Sequence, residues 1–187
     1  LSWSDHINQL CGKLSTVLYV LRRLKQVTSP EIVKCAYYAL FESHLRYAIT
    51  VWGNSSKFNT QRVLVLQKKA IRILMGTGPL ESCRGAFKQL RILTSVALYI
   101  LEVVAYASQQ RLTRGNDVHT LNTRSAHDYI LPTHRLTLYE KQPTYAGAKF
   151  LNILPQEFKN TTEQQQLRRK LIDWLLDPAL LYNRGIP

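Results

Sequence analysis

Apolar residues recur at three- and four-residue steps from the start of the chain. Ile7, Leu10, Cys11, Leu14, Leu18 and Leu21 predict an amphipathic helix that Ser4 or Asp5 can cap. Arg22, Arg23 and Lys25 gather at its C-terminal end, where cations suit the helix dipole. Ser29-Pro30-Glu31 marks a second start, with a capping serine, proline at the first helical position and an acid in the first turn. This helix is expected to run to about Trp52 on a core stripe of Val33, Ala36, Tyr37, Leu40, His44, Ala48 and Val51, closed by Gly53-Asn54-Ser55-Ser56.

A third helix is predicted from about Thr60 to Met75, and it carries the sharpest segregation in the chain. Residues set about 100° apart place Val63, Leu66, Ala70, Ile73 and Leu74 on one arc. Arg62, Lys68, Lys69 and Arg72 share a neighbouring arc of roughly 120°. No acid lies on this helix, and Gly76-Thr77-Gly78-Pro79 ends it. A short helix follows from Ser82 to Leu90 with Ala86, Phe87 and Leu90 inward, and Arg84, Lys88 and Arg91 close by. Thr94 then caps a helix running to about Gln110 that is hydrophobic almost all round, and so is expected at the centre of the core.

Beyond Gln110 the pattern loosens. Arg111 to Arg124 has no sustained period and reads as a linker or ordered loop, while Tyr129 to Gly147 has two prolines and alternating patches that suit extended or irregular chain, including a short strand. Thr162 and Gln165 form a capping box for a last helix with the stripe Leu167, Leu171, Trp174 and Leu175, stopped by Asp177-Pro178. The expected class is mainly α: a basic, thumb-like helical bundle over residues 1–110, an irregular linker over 111–147, and a C-terminal helical segment over 148–187.

Composition sharpens this picture. With 45% hydrophobic residues in 187, the chain can bury a core and is no disordered basic tail. Cys11, Cys35 and Cys83 are odd in number, widely spaced and set in apolar stretches, so they read as buried free thiols in a reducing compartment. The longest apolar run, Val96 to Ala107, is broken by Glu102 and falls short of the ~20 residues that span a bilayer, so no membrane partner is expected. The opening Leu1-Ser2-Trp3-Ser4 enters a helical pattern with no signal segment, and reads as the interior of a longer polypeptide.

Charge points to a polyanionic partner. There are 25 basic and 12 acidic residues, a net of +13; residues 1–110 hold 14 and 5, a net of +9, and residues 111–187 hold 11 and 7, a net of +4. Lys/Arg faces on successive helices with few acids favour contacts to phosphates, which set affinity and register without reading bases. Tyr37, Tyr38, Phe41 and Tyr47 have the spacing of core residues, and Tyr38, off the main stripe, is the stacking candidate among them.

Common catalytic patterns are missing. Gly76-x-Gly78 is followed by proline and lacks the lysine of a phosphate loop; no G-x-S-x-G occurs, and no neighbouring acids stand ready for two metal ions. Asp173 and Asp177 read as a solvated helix end, and His119, His127 and His134 are spaced by eight and seven residues, unlike metal ligands.

Several segments in order resemble one family. Leu1-Ser2-Trp3-Ser4-Asp5-His6-Ile7 with Leu21-Arg22-Arg23-Leu24 is similar to the stretch after the catalytic palm in reverse transcriptases of non-LTR retrotransposons, jockey-like or other LINE-type elements. Ser43-His44-Leu45-Arg46-Tyr47, Val51-Trp52-Gly53 and Leu66-Gln67-Lys68-Lys69-Ala70-Ile71-Arg72 resemble the thumb of that family. Phe87-Lys88-Gln89-Leu90-Arg91-Ile92-Leu93-Thr94 and Gly147-Ala148-Lys149-Phe150-Leu151-Asn152-Ile153-Leu154-Pro155 resemble later parts.

The resemblance implies the thumb and downstream region of an RNA-directed DNA polymerase, with RNA, an RNA–DNA hybrid or a DNA duplex as partner. It implies packing against a palm and fingers that this chain lacks, a nuclear or cytoplasmic location, and no cofactor here, since the Mg2+ of the reaction belongs to the palm. The chain alone is expected to be inactive, because the family's Asp-Asp motif is absent. The expected phosphate contacts are Arg62, Lys68, Lys69 and Arg72, then Arg22, Arg23 and Lys25, with Tyr38 for stacking. The alternative is a truncated or decayed copy whose helices only pack.

Overall fold

The periodicity of the first segment becomes an unbroken helix, α1 (Ser4–Val27), which buries Ile7, Leu10, Leu14, Val17, Leu18 and Leu21. The computed structural model describes residues 2–118, 126–159, 161 and 163–177. Neither Ser4 nor Asp5 caps α1, because both already lie inside it. Its N-cap position is Trp3, and Ser2 Oγ accepts the Ser4 N–H at 3.3 Å.

The second helical stretch departs from the expected one in an informative way. α2 (Pro30–Ala36) passes directly into a π-helix, Tyr37–Glu42, and then into α3 (Ser43–Arg46). The wider i→i+5 turn needs more residues to come round, so core-facing positions fall four apart. Val33, Tyr37, Phe41, Leu45 and Ile49 are each at most 1% exposed. The stripe expected from a regular helix is therefore one residue out of step after Tyr37: Leu40, Ala48 and Val51 are exposed and His44 is half-buried. The helix also breaks at Tyr47–Ala48, where Ala48 is left-handed (φ 51°), before α4 (Ile49–Trp52). Trp52 is buried and its Nε1 donates to the Tyr47 carbonyl at 2.8 Å.

α5 (Lys57–Met75) begins three residues before Thr60, where Ser56 Oγ accepts the Asn59 N–H. It ends at Gly76 (φ 72°), whose N–H and that of Thr77 both donate to the Arg72 carbonyl. α1 and α5 run parallel, since Asn8 meets Arg62 near their starts and Lys25 meets Leu74 near their ends. The α2–α4 stretch returns the opposite way, bringing Tyr47 and Trp52 back to His6 with ring centroids 6.4 and 6.1 Å away. α6 (Arg84–Leu90) follows, and Thr94 Oγ1 accepts the Ala97 N–H at the start of α7 (Ser95–Ala107). α7 is buried nearly all round, as its sequence predicts.

The chain divides into two compact units, Leu1–Leu98 and Tyr99–Pro187. The division falls inside α7, where the sequence pattern places it after Gln110. Within the second unit the start of the stretch expected to be a linker or ordered loop is paired: Thr113–Asn116 lies antiparallel to Ala126–Ile130 through three backbone hydrogen bonds and the Arg114–Tyr129 bridge. Its short helices are α8 (Gly115–Val118), α9 (Thr137–Glu140) and α11 (Gln156–Lys159). α10 (Pro143–Ile153) reaches back into the segment expected to be irregular, and Gly147 lets it approach α7. A Cβ there would collide with the Val103 carbonyl and the Ala107 side chain. α12 (Gln164–Leu175) buries Leu167, Leu171 and Leu175, and Trp174 is half-buried edge-on to Phe158. Thr162 of the expected capping box, His119 and Pro178 lie outside the described residues.

The thiols differ from their expected state. Cys83 is buried, Cys11 is half-buried and Cys35 is exposed, because Cys35 sits on the outer side of α2. Among the described residues no strand forms, and no single helix is long and apolar enough to cross a membrane. α6 and α7 reach that length only as a pair bent by 50°.

Candidate nucleic-acid interface

The direction in which α5 points its cations is fixed by a polar residue in the core. Gln67 is fully buried, its Nε2 donating to Tyr37 Oη and to the Leu93 carbonyl at 2.9 Å each, and its Oε1 accepting the Ser95 N–H at 2.7 Å. Burial pushes the Tyr37 phenol pKa far up, so the hydroxyl keeps its proton. Val63, Ala70, Ile71 and Leu74 flank Gln67 on the buried face. Leu66 and Ile73, expected in that stripe, are half-buried instead, because Gln67 and Ile71 take the inner positions. A mark of this was present in the sequence: Gln67 has Val63 and Ile71 four residues either side, on the same helix face.

Opposite this face lie Arg62, Lys68, Lys69 and Arg72. Arg62 Nη1 donates to Asn8 Oδ1 at 2.8 Å, and its guanidinium stands over the Phe58 ring, 5.6 Å from the centroid. Arg72 Nε donates to the Glu81 carbonyl at 3.0 Å. Lys69 is exposed, and the Lys68 backbone carbonyl accepts from Cys83 Sγ just before α6. The partners of the two arginines are uncharged, so they orient the guanidinium groups and leave the positive charge whole. Among the described residues none of the four forms an ion pair with a carboxylate.

The first unit holds 14 basic and 4 acidic residues, a net of +10, and each acid has a local task. Asp5 lies in the first turn of α1. The Glu31 carboxyl is held below the usual carboxylate range by hydrogen bonds from Ser29 and its own backbone. Glu42 pairs with Arg46 at 2.8 Å, and Glu81 Oε1 accepts the Gly78 N–H at 2.8 Å. None of them neutralises the outer face of α5.

The remaining candidates separate. Asn8, Ser15 and Arg22 follow one another at seven-residue steps on α1, and the Arg62–Asn8 bond sets the start of that stripe beside Arg62 of α5. Arg22 is exposed there. Arg23 Nη1 donates to Gln26 Oε1 at 3.4 Å, within its own helix. Lys25 is turned to the end of α5, where Nζ donates to the Leu74 carbonyl at 2.9 Å, a helix-terminating role. Lys68 and Arg72 lie toward Cys83 and Glu81, before α6.

Tyr38 stands apart from the arc. The π-helix that carries it meets α5 through Tyr37 and Gln67, on the side facing the core. Tyr38 is 39% exposed, packs edge-on to Tyr37 and has its phenol pKa raised by burial and by Glu42, with Arg46 and Arg91 opposing. Phe58, which its sequence context does not single out, is 70% exposed four residues before Arg62, on the same side of the helix.

Two of the segments that carry the family resemblance are occupied in part by architectural residues. In Leu66–Arg72, Gln67, Ala70 and Ile71 point inward while Lys68, Lys69 and Arg72 point away. In Gly147–Pro155, Gly147 permits close helix packing, and the Asn152 side chain accepts the Tyr129 N–H and donates to the Tyr129 carbonyl, at 2.8 and 2.9 Å. Among the described residues no three His, Cys, Asp or Glu side chains converge on a metal position. No family model, curated protein or solved structure matches the chain.

Proposed function

We propose that this chain is the thumb and post-thumb part of a non-LTR retrotransposon reverse transcriptase, holding nucleic acid through phosphate contacts made by its basic helices. The observation that carries the reading is the outer face of α5: four cations, the two arginines oriented by neutral partners and none paired with a carboxylate among the described residues, on a helix whose opposite face is locked by Gln67. Such a face releases counterions from a polyanion when it binds, so affinity falls steeply with salt. Arg22 extends the face onto α1. The chemistry of nucleotide addition, with its Mg2+, would lie in the palm of the longer polypeptide, inside the cell.

A salt titration of filter binding tests this. The chain is expected to lose affinity steeply as salt rises, and a variant with Arg62, Lys68, Lys69 and Arg72 all changed to alanine should reduce the slope of log affinity against log salt by about 3. A chain with no salt-sensitive affinity for RNA, hybrid or DNA overturns the reading.

A further inference from the structure

The outward face of α5 is more than a row of cations. Phe58, Arg62, Val65, Lys69 and Arg72 succeed one another at steps of four, three, four and three residues, so they form one stripe along the helix. Two members are apolar and open, Phe58 at 70% and Val65 at 41% exposure. Apolar and cationic groups therefore alternate over the first four positions, and Phe58 and Val65 are separated by about 10 Å along the axis.

A partner helix fits this stripe poorly. Three of its five positions are cations, and burying them in a helix seam without carboxylates costs more than the two apolar contacts return. A duplex fits it in part, because it offers phosphates but keeps its base faces inside the stack. An unpaired strand offers both, since its phosphates are exposed and its base faces are free to lie on an aromatic ring. Arg62, standing over the Phe58 ring, joins the two kinds of contact at one place.

We propose that the outer stripe of α5 binds an unpaired nucleic-acid strand in preference to a duplex, with a base stacked on Phe58 and the phosphates on Arg62, Lys69 and Arg72. This rests on the nucleic-acid reading above and adds the strand class and the stacking residue. Val65 supplies a further apolar contact along the same strand.

The test compares binding of the whole chain to a single-stranded oligonucleotide, an abasic strand of equal length and a blunt duplex, at one salt concentration. The single strand should bind tightest. Phe58→Ala should weaken that binding roughly fivefold to a hundredfold while leaving the abasic strand and the duplex unchanged, and Phe58→Trp should restore it. Because Phe58 is exposed, the alanine variant should melt as the parent does. Equal loss on strand and duplex, or no loss on either, overturns the proposal, and salt-sensitive duplex binding would then leave the clamp reading standing. Absence of binding to all three ligands overturns both. Binding to anionic vesicles that depends on Phe58, without preference among the oligonucleotides, overturns the proposal in favour of a membrane surface.

Discussion

The two units differ in how they treat the cations beside their cores. The first, Leu1–Leu98, is tied together by an uncharged amide, Gln67, while the cations of α5 are left on the outside. The second, Tyr99–Pro187, engages three of its cations in internal contacts, while Arg111, Arg135, Lys141, Lys149, Arg169 and Lys170 stay exposed. Arg114 donates to Tyr129 Oη and to the Lys159 carbonyl, Lys159 Nζ donates to Asp128 at 2.6 Å, and Arg168 reaches Glu102 at 2.6 Å. The lesson is that net charge says little about which lysine is available to a partner. Availability depends on whether the fold has already placed a carboxylate or a cavity around it.

The largest test of this contrast removes the neutral tie. Gln67→Leu keeps the volume of the side chain roughly but leaves the Ser95 N–H, the Leu93 carbonyl and the Tyr37 hydroxyl buried without their partner. Orphaned buried groups cost about 1–3 kcal/mol each, so a loss of about 3–5 kcal/mol in urea melts is expected. A change below about 1 kcal/mol would mean that the amide does not hold the first unit together.

Next in size is an asymmetry inside the second unit. The Lys159 side chain is 4% exposed, while that of Asp128 is 37% exposed. Asp128→Ala therefore strands a buried ammonium and should cost about 3 kcal/mol, whereas Lys159→Met leaves a carboxylate that water can still reach and should cost about 1 kcal/mol or less. Thermal or urea melts of the two variants decide it. Equal costs would show that the pair is solvated in effect, and would erase the difference between the units.

How far these arrangements could be read from the sequence follows from the same physics. α1 and α5 were legible because their cores follow a regular helical period, and the basic arc of α5 came with that period. The α2–α4 stretch was not, since a π-turn moves each later core residue by one position and leaves no mark in composition. Gln67 was missed because a glutamine in a core stripe looks polar wherever its partners are, and two of those partners lie 26 and 28 residues away. The pairing of Thr113–Asn116 with Ala126–Ile130 is hidden for a related reason. It is secured by partners distant in sequence, the Asn152 side chain on Tyr129 and the Lys159 carbonyl on Arg114, and has no alternating apolar pattern of its own. Of the interface, the cations were legible and their orientation was not.

The smallest expected effect bears most directly on the contrast. Lys68 and Lys69 have no carboxylate partner in the first unit, which carries a net of +10. Changing both to alanine removes two mutually repelling charges and introduces the residue most favourable to a helix interior. Stability should therefore hold, or rise by a few tenths of a kcal/mol at low salt, and the difference from the parent should shrink as added salt screens the repulsion that the variant lacks. A lysine built into the fold, such as Lys159, has no reason to behave in this way, since its partner lies in direct contact and is screened far less. Paired melts at low and high salt measure the difference. If the Lys68→Ala, Lys69→Ala variant instead loses more than about 1 kcal/mol at both salt concentrations, these lysines belong to the architecture of the first unit, as Lys159 belongs to the second. The outer face of α5 would then be a structural surface, whatever its charge.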